Sequence, residues 1–467
     1  EASGMKKGIR LILFLLVLGV MIYGAYGIYS WKDTSGDYLS STQQLYHTPD
    51  QTMDVVFAGS SHCYCTIYPA YLWERSGIAA FDMAVSGQDK ASTYHMLVEL
   101  CKTQSPKAVW VDLYGLLLDR QGIEGNTYRN MLAMRTSKNS IELIREYVEP
   151  ERQMDFFLKW PIVHTRFWEI GKYDFVQYEP SLYGRGGVYQ WGQREILKGD
   201  FETEKVATLD EKNLAWLERL RELSAKEGFD LYFFVAPFDI LEEEQEIINA
   251  AGQYAAQNDI PFFDFNKMGE ELGLDYAVDF RESYHLNAYG AEKVTECVRK
   301  YLLEHYDLPD RRGDAAYEAW DRDLEWYRHL ELAEKSASGD AASYLEKSGE
   351  LDQICYVVDV DLLRARDEDL TALEAAFGRY GISKAELAQG GTWILADGKK
   401  KKVLEYGQNG EYFTDLNAYD ALRVKHEGER SAGDVMINYS ECLMTDFSVN
   451  IILYDQVLQE PLPSVQF

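Results

Sequence analysis

Two short stretches of this 467-residue chain carry the residue types that acyl transfer needs. One is Gly59-Ser60-Ser61-His62; the other runs from Asp279 through Glu282 and His285 to Gly290 (DFRESYHLNAYG). A serine hydroxyl becomes a useful nucleophile when an imidazole within hydrogen-bond reach takes its proton, and that imidazole needs a carboxylate to fix its tautomer. His285 can serve Ser61 as base, and Glu282 or Asp279, on the same loop, can supply the carboxylate. Taken singly, the first stretch also reads as a plain strand-end turn and His285 as a capping residue satisfied by backbone. The six cysteines form no CxxC pair and no Cys/His cluster at zinc spacing, so they read as small buried hydrophobes; no metal and no cofactor is expected.

The elements that must position these residues follow from the apolar pattern. Ser61 comes directly after a short apolar run, residues 53–58 (MDVVFA), and similar runs occupy 78–85, 108–113, 231–236 and 261–265. Helical patterns at 91–103, 209–226, 240–257 and 288–304 separate them. Short buried strands alternating with amphipathic helices predict an α/β domain, a three-layer sandwich around a mostly parallel sheet. Ligands of such sheets gather at the carboxyl ends of the strands, where Ser61 falls. A helix starting near Pro69 can aim backbone N–H groups at an oxyanion there. His285 lies in the loop before the last helix. Residues 119–208, rich in Tyr, Trp and Phe, break the rhythm and make a candidate cap over the site. Inside that insertion His164 and Arg166 stand among aromatics (WPIVHTRFW), and read either as substrate-facing or as groups that satisfy backbone carbonyls in a packed cap.

The strand-end serine, the acid-x-x-His before the last helix, and the stretches at 81–88 (FDMAVSGQ), 234–237 (FVAP) and 263–266 (FDFN) together resemble the SGNH/GDSL hydrolase superfamily over residues 53 to 304. Within it they are similar to the membrane-anchored branch that modifies extracellular polymers, such as the alginate O-acetylation proteins and the D-alanine transfer protein of teichoic acid synthesis. The Pro-x-x-His-x-Arg pattern at His164 and Arg166 is similar to a stretch in those relatives. The resemblance implies Ser61 as nucleophile, His285 as base, Glu282 in the place usually held by Asp, and the Ser61 and Gly87 N–H groups as oxyanion donors. The chain departs from the family in two ways. Glu282 is one methylene longer than Asp, which leaves Asp279 open as the acid, and the third block, residues 111–115 (VDLYG), has no Asn for the oxyanion. His62 reads as a substrate contact or as a polar rim residue. The implied activity is transfer of an acyl group, acetyl above all, through a serine acyl-enzyme onto an extracellular polysaccharide or wall polymer, with a membrane-bound O-acyltransferase partner supplying the acyl group. A polysaccharide O-acetyl esterase with the same site, and a non-catalytic glycan-binding scaffold, are the alternatives.

The remaining segments set compartment and partners. Residues 1–4 read as an expression scar. Lys6, Lys7 and Arg10 precede an uncharged apolar run at 11–29, long enough to cross a bilayer. The positive-inside rule then makes residues 5–31 a single-pass cell-membrane anchor with a cytoplasmic N-terminus and the bulk outside, and puts Tyr23, Tyr26, Tyr29 and Trp31 at the outer interface. Residues 32–52 read as a polar stalk, 53–307 as the main domain, 308–350 as a helical linker and 351–467 as a small α+β domain. With 47 basic against 77 acidic residues the net charge is −30, which argues against nucleic acid as partner. In the last domain the pattern predicts strands at 355–360, 392–396 and 450–454 and a helix at 367–380, with residues 399–402, four lysines, as a solvated loop after the Asp397-Gly398 turn. Ser448, Asn450, Tyr454, Asp455 and the closing residues 463–467 (PSVQF) resemble the end of the interleukin-like EMT-inducer (PANDER-like) domain, which implies carbohydrate binding.

Overall fold

The computed structural model of the chain describes residues 2–30, 40–118, 131–171, 174–175, 184–335, 341–417, 420–426, 434–438, 440–442 and 447–466. Trp31, the first part of the expected stalk and residues 119–130 of the insertion lie outside the described residues. The chain divides into two compact units, Glu1–Leu324 and Glu325–Phe467.

In the first unit, strands β1 (Val55–Gly59), β2 (Ala80–Ala84), β3 (Ala108–Asp112), β4 (Asp230–Val235) and β5 (Phe262–Asp264) form a parallel sheet in the order β2-β1-β3-β4-β5. Each lies on an expected apolar run. Every residue of β1, β2 and β3 is buried, which explains why these strands read as unbroken apolar runs and not as alternations. The helices Lys90–Leu100, Glu211–Glu227, Glu242–Gln257 and Ala288–His305 stand where the periodicity put them. A short antiparallel pair, β6 (Phe280–Glu282) and β7 (His285–Leu286), precedes the last of these. The chain runs from β1 out to β2 and then back across to β3, so the crevice between the carboxyl ends of β1 and β3 is the topological switch point of the sheet.

Residues 40–52 are no free stalk. Ser40–His47 is helical, Leu45 is buried, the Tyr46 hydroxyl donates to Glu99 at 3.0 Å, and the Thr52 N–H donates to Gln104 Oε1 at 3.0 Å. Partners some fifty residues away satisfy this polar stretch, and a local pattern does not show them. The expected linker is divided in a similar way. Trp320, fully buried, donates its indole N–H to the Ala80 carbonyl at 3.1 Å, so residues up to Leu324 pack with the first unit. Leu332, Tyr344 and Leu345 belong to the core of the second.

A buried ion pair ties the insertion into the first unit. Arg185, at φ 46°, pairs with Asp323, donates to Thr48 Oγ1 at 2.9 Å and stands 4.3 Å from the Trp320 ring centre. Gly186, at φ 86°, lies so close to β2 that an added Cβ would meet the Asp82 carbonyl oxygen at 1.9 Å.

The second unit holds two antiparallel sheets. β8 (Ile354–Val360) is central in the first, with β9 (Gly391–Ala396) and β10 (Lys399–Glu405) on one side and, beyond β11 to β14 in sequence, β15 (Val449–Asp455) and β16 (Glu460–Gln466) on the other. The second sheet is β11 (Gly410–Asp415), β12 (Ala421–His426), β13 (Asp434–Ile437) and β14 (Ser440–Glu441). Tyr356, Val358 and Val360 pack with Leu370, Leu373 and Phe377 of the helix Asp367–Phe377, while Cys355 and Val357 pack with Leu422, Val424 and Val435. The four lysines at 399–402 are strand and not loop. Asp397 and Gly398, both at positive φ, make the two-residue turn, and the lysines line an edge strand, where their charge opposes pairing with another chain.

Removing the buried cation tests this architecture. Arg185→Ala leaves the Asp323 carboxylate buried without its partner and is expected to destabilise the first unit by roughly 3–5 kcal/mol. Denaturant unfolding followed by tryptophan fluorescence reads the change, and an unchanged midpoint would remove the ion pair from the account of the fold.

Candidate active site

Ser61 opens the short helix Ser61–Tyr64 directly after β1 and is half-buried; Ser60 caps that helix, its Oγ accepting the His62 N–H at 3.3 Å. His285 Nε2 stands 2.7 Å from Ser61 Oγ, and His285 Nδ1 is hydrogen-bonded to Glu282 Oε1. An ionised carboxylate only accepts, so Nδ1 carries the proton and Nε2 is the acceptor for the serine hydroxyl. The β6–β7 pairing sets Glu282 opposite His285, so one tight hairpin holds acid and base side by side. The second Glu282 oxygen accepts the Tyr284 N–H at 3.0 Å.

Asn287 and Gly290 hold this hairpin against the last helix. Asn287 Oδ1 accepts the N–H groups of Tyr289 and Gly290, and its Nδ2 donates to the Val278 carbonyl at 2.6 Å and the Gly192 carbonyl at 3.0 Å. A Cβ at Gly290 would meet the Asp279 carbonyl oxygen at 2.4 Å. Asp279 itself is buried and turned elsewhere, accepting from Lys293 Nζ at 2.5 Å and from the Asp275 N–H at 2.6 Å. The carboxylate beside His285 is therefore Glu282.

The surroundings set the protonation states. Burial is the largest influence on His285 and pushes its pKa below the usual histidine value, although the Glu282 carboxylate pulls the other way. Burial raises Glu282, but hydrogen bonds from the Tyr284 N–H and from His285 outweigh it and hold the carboxyl below its ordinary value. A neutral imidazole and an ionised carboxylate at neutral pH are the states general-base activation needs.

Beneath the serine the sheet is unusually polar. Asp112, buried at the end of β3, accepts from Ser60 Oγ at 3.2 Å and from the Tyr114 N–H at 3.1 Å. Burial pushes its pKa up to about 7. Asp82, buried in β2, is also pushed up by burial and accepts from the Cys63 thiol at 3.4 Å. Gly59 permits this packing, since a Cβ there would meet Asp112 Cβ at 2.6 Å. Apolar periodicity gave Asp82 and Asp112 no role, although an acidic residue inside an otherwise apolar strand (AFDMA, AVWVD) is itself a sign of a buried polar site.

Other expected site residues divide. Gly87, at φ 60°, follows β2, and neither its N–H nor that of Ser61 donates to a group among the described residues. His62 is neither a rim residue nor exposed. It is buried, stacked on Tyr114 with ring centres 3.5 Å apart, edge-on to Phe238, and 5.0 Å from the His285 ring. Burial, then His285, keeps it neutral by driving its pKa far down. Arg166 is buried and satisfies backbone carbonyls: it donates to those of Tyr29 and Ser30 and to Asp174. His164 is exposed on the same short helix and is not among the residues that meet at Ser61.

Two measurements follow from this geometry. The rate of Ser61 labelling by a fluorophosphonate is expected to hold as pH falls from 8 and to drop only below about 6.5, the ordinary histidine value, because the base stays neutral to lower pH. Glu282→Gln should cut that rate by about 10³–10⁴-fold, while Asp279→Asn leaves the rate of the folded protein nearly unchanged. The reverse ranking would return the acid to Asp279. Asp112 binds its proton more tightly folded than unfolded, so its contribution to stability is complete below about pH 4 and lost as pH rises through about 7. Asp112→Asn should therefore lose less stability than wild type between pH 5 and pH 8; parallel melting curves across that range would refute it.

No protein-family model matches the chain, and no curated protein matches it. Among solved structures, a Bacteroides fragilis chain provisionally described as an acylhydrolase is similar at 12% identity, with a TM-score of 0.29, covering 58% of this chain and 99% of that one. A likeness that shallow carries no inference about activity, which rests on the site's own geometry.

Proposed function

We propose that the chain is a membrane-anchored serine acyltransferase that takes an acyl group, acetyl first, onto Ser61 and passes it to a hydroxyl of an extracellular polysaccharide or wall polymer. The observation that carries this reading is Ser61 Oγ at 2.7 Å from a His285 whose other nitrogen is held by Glu282. As Oγ attacks the donor's carbonyl carbon, His285 Nε2 takes the serine proton and Glu282 stabilises the imidazolium. The oxyanion meets the N–H groups of Ser61 and Gly87. On collapse the donor's leaving group departs with the proton from His285. The acceptor hydroxyl then attacks the ester, gives its proton to His285, and Ser61 is released with that proton.

The resemblance to polymer-modifying acyltransferases supports transfer over hydrolysis; His62, Tyr114 and Phe238 pack together beside the base. The helix Lys7–Tyr29, long and apolar enough to cross a membrane, supports the anchor, and Lys6, Lys7 and Arg10 before the apolar run support a cytoplasmic N-terminus. Activated acyl donors such as acetyl-CoA are cytoplasmic, and one helix offers no passage for them. The reading therefore includes a multi-spanning membrane-bound O-acyltransferase as partner. The second unit is read as the glycan-binding part, on its PANDER-like closing sequence.

An esterase with water as acceptor uses the same residues, and the partial exposure of Ser61 favours that second reading. Incubating the full chain with a fluorophosphonate probe should label Ser61, with no adduct there in Ser61→Ala or His285→Ala. With p-nitrophenyl acetate as donor and neutral oligosaccharides as acceptors, acetylated oligosaccharide is the expected product. Free acetate alone would mean an esterase. A folded protein that labels nowhere would sink both readings and leave a glycan-binding scaffold.

A further inference from the structure

The insertion between β3 and β4 carries an apolar surface that the site does not use. In the helix Gln153–Leu158, Phe156 is buried while Met154 and Leu158, four residues apart and so on one face, are 58% and 61% exposed. The adjoining short helix His164–Trp168 leaves Phe167 49% and Trp168 85% exposed, their rings 4.2 Å apart, and Phe175 is 69% exposed. One exposed apolar side chain is ordinary. Five within 22 residues, three of them aromatic, make a patch that water covers badly.

The same segment grips the end of the apolar N-terminal helix. Arg166 donates from Nη1 to the Tyr29 carbonyl at 2.9 Å and the Ser30 carbonyl at 2.5 Å, and from Nη2 to Asp174 at 3.2 Å. The Trp160 ring lies 5.3 Å from the Tyr29 ring. Upstream, the large apolar side chains between residues 9 and 23 are exposed, whereas the last turn is partly covered. Depth then follows from length. The apolar run at 11–29 rises about 28 Å as a helix, against a hydrocarbon core of about 30 Å. With the basic residues at one face of the bilayer, Tyr29 lies at the other, and whatever is fixed to Tyr29 sits at headgroup level.

We infer that Met154, Leu158, Phe167, Trp168 and Phe175 dock into the outer interfacial layer of the lipid bilayer, as a collar around the exit of the anchor; the inference rests on the anchor reading above. Aromatic rings with a polar edge favour that layer. The local charge permits it: over the patch, residues 154–175, three basic side chains meet three acidic ones, so in a chain of net charge −30 this face is locally neutral. The insertion, expected from sequence to cap the substrate, is on this reading a foot that fixes the height of the sheet above the membrane.

The test uses the full chain reconstituted in phospholipid vesicles whose acyl chains carry bromine near the headgroup, a short-range quencher of tryptophan. The emission lost on Trp168→Phe is the share of Trp168, a conservative change at an exposed position. That share is expected to fall by about half or more in brominated vesicles relative to unbrominated ones. Leu158→Trp in the Trp168→Phe background gives a second reporter with the same expectation. Chain that floats with the vesicles while both reporters stay unquenched overturns the docking, leaves the anchor standing, and assigns the face to a protein partner. Chain that does not float at all overturns the anchor, and the docking with it.

Discussion

The close approach of β1 and β3 at Gly59 is the constraint on which the rest of the site depends. Only a residue without Cβ lets Asp112 stand against β1, and only there can its carboxylate take the Ser60 hydroxyl. Ser60 in turn caps the short helix that begins with Ser61, so the direction of Ser61 is fixed from below by a buried carboxyl group. The position is also where the sheet reverses its winding, so the crevice and the serine arise from one crossing of the chain.

The second half of the site is held by a different logic. β6 and β7 are too short to be stable alone, and the loop bearing them owes its shape to Asn287, whose side chain joins the helix Ala288–His305 to the Val278 and Gly192 carbonyls. Lys293, one turn further on, ties down Asp279. The hairpin thus has a fixed base, and Glu282, one methylene longer than Asp, spans to the imidazole from within it. Acid and base share one hairpin, and the Asp239 N–H, shortly after β4, donates to the Ser283 carbonyl of its turn at 2.8 Å.

Much of this was legible in the sequence, for a physical reason. Strands buried on both faces appear as unbroken apolar runs, and the amphipathic helices between them keep their period, so the five strands of the parallel sheet and four of the helices of the first unit could be placed from pattern alone. Ser61 and His285 were legible from their places relative to those elements. What was not legible depends on contacts between distant residues. Residues 40–52 looked like a stalk because their polar groups find partners such as Glu99 and Gln104. Arg166 read equally as a substrate contact and as a group satisfying backbone carbonyls, because nothing local shows that it caps the helix ending at Tyr29. His62 looked like a rim residue because its burial comes from Tyr114 and Phe238, on other elements. The choice between Glu282 and Asp279 needed the direction of two side chains, which spacing does not supply.

Cys63 lies two residues from Ser61, yet its environment is of another kind. Its thiol is buried and donates to Asp82, and burial together with the nearby carboxylates pushes its pKa well above the usual thiol value. A thiol held in its protonated form is a poor reductant and a poor nucleophile. An oxidant therefore has little purchase on it, and an electrophile entering the crevice finds oxygen and not sulfur to react with. The burial that packs Cys63 against the acidic residues of β2 and β3 thus keeps the thiol near Ser61 in its protonated form.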